Sequence, residues 1–203
     1  MNIFSVQTTE LETNTYLVTN GNKGFLVDPG SNEDRIDKLI QDNGNVTIEA
    51  VLITHAHADH ISAVKYYQDK GAKVYIHKDD VDKITSYKNL GFAIGLKVPP
   101  FVPDVVLEGG DTFTVAGLDI SVIHTPGHSK GGVCYVLGDN IFTGDTLFAC
   151  SFGRTDFPDG DMNALKDSII NKLFGLKGNY KCYPGHGPET SLEQERNCNP
   201  IVW

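Results

Sequence analysis

The 203-residue sequence has no pair of cysteines at C-x-x-C spacing; Cys134, Cys150, Cys182 and Cys198 stand apart. They read as reduced thiols, mostly packed in the interior, and for Cys150 packing is favoured over a reactive role. No apolar stretch approaches the ~20 residues of a membrane span. The start, Met1-Asn2-Ile3-Phe4, lacks the basic segment and apolar core of a secretory leader. A cytoplasmic protein with no membrane partner is expected. There is no basic run, and the formal net charge is −9, which argues against nucleic acid as a partner. No period signals a repeat array. What remains has the composition of an ordinary globular protein, 40% hydrophobic and 21% charged.

Against that background, three of the seven histidines fall within Thr54-His55-Ala56-His57-Ala58-Asp59-His60. The cluster follows an apolar run, Ala50–Ile53, that reads as a buried strand, and precedes Ile61–Tyr67, which has helical spacing. Strand ends of this kind collect ligands in α/β folds. If residues 55–57 stay extended, His55 and His57 point the same way and can share one metal. Asp59 and His60 lie past the bend and can turn toward a second. A histidine-rich surface loop is the bland alternative.

Residues 2–8 and 14–19 read as strands, with a hairpin turn at Asn20-Gly21-Asn22 and a return along Gly24–Val27. Ser31 is the expected N-cap of a helix with Glu33 and Asp34 in its first turn, an apolar face of Ile36, Leu39 and Ile40, and its end at Gly44. A strand from about Thr47 leads into the cluster; a helix closed by Gly71 and a strand Lys73–Ile76 follow. Parallel crossovers plus an antiparallel hairpin predict a mixed sheet with helices outside. Residues 86–104, broken by glycine and proline, form either a loop over the site or a connection packed on the core. Further on, Asp111–Val115, Leu118–His124, Gly132–Leu137, Ile141–Thr143 and Tyr180–Tyr183 read as strands, and Met162–Leu173 as a helix. A capping box around Thr190–Gln194 opens a last helix.

Three more donors stand just after strands, each preceded by glycine: His128, Asp145 and His186. The glycines permit sharp turns that aim the side chains inward. Five histidines and two aspartates exceed one tetrahedral zinc. They suit two metals, with Asp145 lending an oxygen to each, and imidazole with carboxylate fits Zn, Fe or Mn. His124 reads as a core or supporting residue and His77 as packing or capping a strand end. Asp28 is expected to orient a ligand or brace the cluster loop.

The T-H-x-H-x-D-H cluster with His128, Asp145, His186 and Asp28 resembles the five motifs of the metallo-β-lactamase superfamily over essentially the whole chain. The resemblance implies an αββα sandwich, two mixed sheets with helices on the outer faces, as one domain over residues 1–203. It implies that His55, His57 and His128 hold one metal, that Asp59, His60 and His186 hold the other, and that Asp145 bridges. Zinc is the expected metal. Asp145, where many β-lactamases carry Cys, points away from a typical antibiotic-degrading enzyme. Ser151–Pro158 and Pro184–Thr190 look like short bacterial hydrolases of the glyoxalase II type, which cleave S-lactoylglutathione. By that resemblance Arg154 matches a lysine that contacts the thiol's carboxylate, whereas Asp156 and Pro188 depart from glutathione-contacting positions. The helical C-terminal domain that helps hold glutathione in longer enzymes is not expected. The implied reaction is attack on a thioester by a hydroxide shared between two metals ~3.5–4 Å apart, with Asp59 and Asp145 as catalytic carboxylates. The alternatives are a persulfide dioxygenase with one iron on His55, His128 and Asp145, or a lactonase of the same fold. Arg154 and Asp156 also have a plain reading: they pair with each other or brace a loop.

Overall fold

The computed structural model describes all residues, Met1–Trp203. Strands β1 (Asn2–Thr8), β2 (Thr13–Asn20) and β3 (Lys23–Val27) form an antiparallel meander. Helix α1 (Glu33–Asp42) then crosses over to β4 (Thr47–Leu52). The short helices α2 (Ala58–Ile61) and α3 (Val64–Asp69) lead to β5 (Lys73–His77). A 3-10 segment, Lys78–Lys83, and helix α4 (Gly91–Ile94) precede β6 (Val105–Leu107). The first sheet runs β1-β2-β3-β4-β5-β6, parallel from β3 onward.

The second half contributes β7 (Thr112–Val115), β8 (Leu118–His124), β9 (Val133–Leu137) and β10 (Asn140–Gly144). A small hairpin of β11 (Leu147–Phe148) and β12 (Ser151–Phe152) follows, then helix α5 (Met162–Asp167). The chain closes with β13 (Lys181–Pro184), β14 (Thr190–Ser191) and helix α6 (Leu192–Cys198). The second sheet runs β14-β13-β10-β9-β8-β7, with only β10 and β13 parallel.

The alternation of side chains across each strand builds three apolar layers. In β2, Tyr16 and Val18 face the other sheet, where they meet Tyr135, Phe142 and Tyr183. Leu17, between them, points outward with Leu26, Val51 and Ile53 against Ile36 and Ile40 of α1 and Val64 and Tyr67 of α3. On the far side, Cys134, Ile141 and Cys182 pack against Leu165, Ile169, Leu173 and Leu192. The result is the expected αββα sandwich of two mixed sheets.

Several local expectations change. Ser31 does not cap α1. Asn32 holds the N-cap position at φ +77°, a left-handed backbone that Asn tolerates, and its carbonyl receives the first helical amides. The Met162–Leu173 helix passes into a π-helical turn over Ser168–Leu173. The helix after the cluster is broken into α2 and α3. Residues 86–104 divide between the two expected roles: Leu90, Ala93 and Ile94 border a cavity, while Phe101 is buried against the first sheet. In the last helix Ser191 accepts from the Gln194 amide, as the capping pattern predicts. Cys134 and Cys182 are buried, but Cys150 is exposed with Cys198, so packing does not describe it. No helix is long and apolar enough to cross a membrane.

Candidate metal centre

β3, β4 and β5 are parallel and end at one edge of the first sheet, while β10 and β13 are parallel in the second. The loops after β3, β4, β10 and β13 therefore meet at one end of the sandwich. Asp28, the first residue past β3, bends at φ +50°. Its carboxylate accepts from the Thr54 amide at 2.7 Å and the Thr54 hydroxyl at 2.6 Å, which fixes the start of the histidine cluster. One oxygen also contacts His60 Nδ1 at 3.0 Å, turning Nε2 into the site.

All seven expected donors come together. One ligand atom each from His55, His57 and His128 lies within 4.8 Å of the others, and the same holds for Asp59, His60 and His186. His57 Nδ1 and His128 Nε2 approach to 2.9 Å. Asp145 stands between the groups: Oδ2 is 3.4 Å from His128 Nε2 and 3.5 Å from His186 Nε2, and Oδ1 is 3.5 Å from His60 Nε2. Asp59 Oδ2 lies 3.3 Å from both His60 Nε2 and His186 Nε2. His128 Nδ1 donates to the Arg154 carbonyl and His186 Nδ1 to the Leu11 carbonyl, so both present Nε2 inward.

The donor set fits divalent metal. His55 Nε2, His57 Nε2, His60 Nε2 and Asp145 Oδ1 are buried with no hydrogen-bond partner, a costly arrangement for a protein interior unless an ion is the partner. Burial, reinforced by neighbouring histidines, pushes His55 and His57 well below the ordinary imidazole range, toward the neutral form a metal requires. For Asp59, burial pushes upward but the charge of His60 and the bond from His186 outweigh it, so it stays ionised. For His60, burial pulls downward but Asp59 and Asp145 prevail and push it well above the ordinary imidazole range.

The glycine before each donor works in two ways. Gly127 and Gly144 bend at φ +140° and +48°, as a sharp turn requires. Gly185 has no such bend. A Cβ there would run into Asp145 Oδ1 and His60 Cε1, so its role is clearance.

Other supports have no ligand signature in the sequence. The Thr13 hydroxyl donates to Asp59 Oδ2 at 2.8 Å. Asn14 Nδ2 donates to the carbonyls of Pro184 and Gly187, holding the His186 loop. Buried Asp80 accepts from the Ala56 amide, between His55 and His57, and from Gly131 and Ser129 beside His128. Lys83, also buried, bonds Ser129 and pairs with Asp159 at 2.7 Å. In sequence, Asp79-Asp80-Val81-Asp82-Lys83 resembles a solvated charged run. His77 and His124 stay outside the site, stacked at 4.1 Å, and His77 Nδ1 accepts from the Asp79 amide at a strand end.

A cavity of about 510 Å³ opens onto His57, Asp59, His128, Asp145 and His186. Its walls are apolar: Leu11, Leu90, Ala93, Ile94, Phe148, Phe152 and Phe157. Arg154 also borders it, but its guanidinium is bound twice by Asp156, at 2.6 and 2.5 Å, and lies over Phe157. The plain reading of the Arg154–Asp156 pair therefore describes the side chain as it stands, and the Arg154 carbonyl braces His128.

Residues 8–186 match the family model described as Metallo-beta-lactamase superfamily. The chain is 32% identical to the probable metallo-hydrolase YqgX of Bacillus subtilis, over 95% of this chain and 93% of the relative. It is 30% identical to the hydroxyacylglutathione hydrolase GloC of Haemophilus influenzae, over 100% and 98%. Among solved structures, the BLEG-1 B3 metallo-beta-lactamase superposes with a TM-score of 0.92 at 32% identity, covering 99% of each chain. TTHA1623 in a di-iron-bound form gives 0.87 at 37% identity, covering 98% of this chain and 99% of the other.

Proposed function

Given that the chain belongs to the metallo-β-lactamase superfamily and is a metallo-hydrolase of that group, we propose that it hydrolyses a thioester of a 2-hydroxy acid, of the S-lactoylglutathione type. The observation that carries this reading is the position of Asp145, whose two oxygens reach His128 on one side and His60 and His186 on the other. Two triads around a shared carboxylate suit a centre for two divalent ions, of which zinc is our first choice among the Zn, Fe and Mn that imidazole and carboxylate donors accept. The di-iron-bound form of TTHA1623 supports double occupancy of such a site, and the likeness to the hydroxyacylglutathione hydrolase GloC supports the substrate class.

When bound, two such ions supply Lewis-acid polarisation of the substrate carbonyl and bring the pKa of water toward ~7. The chain does the rest. His55, His57 and His128 hold one side and Asp59, His60 and His186 the other. The Thr13 hydroxyl donates to Asp59 Oδ2 and orients that carboxylate, which borders the cavity. The apolar walls exclude water and take the acyl and thiol chains. Arg154 meets the thiol's carboxylate at the rim, in competition with Asp156. No Ser or Cys nucleophile is required.

The test is a panel of S-lactoylglutathione and other thioesters, a β-lactam and a lactone on the zinc-loaded and the iron(II)-loaded protein, with glutathione persulfide and an oxygen electrode on the iron(II)-loaded protein. The β-lactam arm answers the likeness to BLEG-1. Thioester turnover exceeding every other arm supports the proposal. Oxygen uptake, lactone opening or β-lactam cleavage without thioester cleavage would overturn it.

A further inference from the structure

Two exposed thiols lie outside the chemistry described so far. Cys150 occupies the two-residue turn between β11 and β12 at φ +52°, and Cys198 ends α6. Their sulfurs are 3.0 Å apart although the residues are 48 positions apart in sequence. The approach is imposed by the backbone. The Cys150 amide donates to both Glu195 oxygens at 3.1 and 2.9 Å, and Asn199 Nδ2 donates to the Ser151 carbonyl at 2.8 Å. Hairpin and helix would thus be held in register without the sulfurs. A metal is not the explanation. The Glu195 carboxylate, the third donor within reach, is buried and already bonded by Cys150, Thr190 and Asn199.

We propose that Cys150 and Cys198 are a dithiol modification site that reacts with small-molecule disulfides and closes an intramolecular disulfide, pinning the hairpin at the cavity wall to α6. The first step is attack of the Cys150 sulfur on one sulfur of a disulfide RSSR. The RS–SR bond breaks, a mixed disulfide forms at Cys150, and the departing RS⁻ takes up the proton that Cys150 gives up. The Cys198 sulfur then attacks the Cys150 sulfur, the mixed disulfide breaks, and a second RSH leaves with the Cys198 proton. The two protein thiols are oxidised by two electrons in all, and RSSR is reduced to two RSH.

The order follows from the local bonds. Cys198 holds its proton against Cys150, which pushes it up to about 11, and Gln194 Nε2 lies 3.9 Å from the Cys150 sulfur as a donor. The buried thiols do not compete: burial pushes Cys134 up to about 11 and Cys182 to about 12. The consequence reaches the cavity because Phe148, Ser151 and Phe152, which flank the turn, line it. This inference is independent of the substrate assigned to the metal centre.

The test uses the full-length protein and 2-hydroxyethyl disulfide, followed by alkylation and intact mass. Wild type should lose two hydrogens, retain no hydroxyethylthio group, leave two alkylatable thiols after denaturation, and yield a linked Cys150–Cys198 peptide. Cys198→Ser should stop at a hydroxyethylthio adduct on Cys150. Hydrogen exchange over residues 147–152 should slow in the oxidised wild type relative to the reduced. Stable adducts on wild type, no reaction at either thiol, or unchanged exchange in the oxidised form would each overturn the proposal.

Discussion

Asp145 is the residue on which the two halves of the centre depend, and Gly185 is the residue that leaves it room. Because a Cβ at Gly185 would meet Asp145 Oδ1 and His60 Cε1, Gly185→Ala should cut metal affinity by about 10- to 100-fold, the range for residues that orient ligands. Equilibrium dialysis against zinc checks this, and wild-type affinity in the variant would refute it. Arg154 makes the opposite kind of prediction. Its guanidinium is exposed and already paired, and exposed ion pairs contribute ~1 kcal/mol or less. Arg154→Ala should therefore raise KM for an anionic thioester by less than about tenfold, with kcat unchanged. A fall in kcat instead would place Arg154 in the chemistry. The histidine and aspartate donors were legible because their residue types carry metal chemistry and their spacing places them at strand ends. Thr13, Asn14, Asp80 and Lys83 were not, since an ordinary polar residue acquires its role only when a distant loop closes upon it.

At the scale of elements, the 3-10 segment Lys78–Lys83 ties the cluster loop to the His128 loop. Asp80 bonds the Ala56 amide on one and Gly131 on the other, and Lys83 pairs beneath them with Asp159. Removing one partner of a buried ionic network strands the other charges. Asp80→Ala should lose about 3 kcal/mol of stability in urea denaturation, and a loss below ~0.5 kcal/mol, the surface range, would contradict the assignment. The longer strands were legible from their apolar runs. β6 was not: three residues after Pro103 give no periodicity, and its place is set by pairing with β5. The N-cap of α1 was not legible because Ser31 and Asn32 are adjacent and equally good capping residues. The loop after Asp28 instead turns at Asn32, where the left-handed backbone excludes the usual capping geometry.

At the scale of the whole molecule, the two sheets supply complementary halves of one centre: Asp28 and the cluster from the first, His128, Asp145 and His186 from the second. Ions held between them would bind the native state and not the unfolded chain, so removal of the ions should loosen the sandwich as a unit. Chelation should lower Tm by several degrees, about 3 kcal/mol at a metal concentration some 100-fold above Kd, and re-addition of zinc should restore it. An unchanged Tm would mean that the donors carry no ion. The most direct measurement is a titration of the metal-free chain with zinc while thioester cleavage is followed. The account predicts no turnover at zero metal and a rise that breaks at two equivalents per chain. Full turnover in the metal-free chain, or saturation at one equivalent, would contradict it.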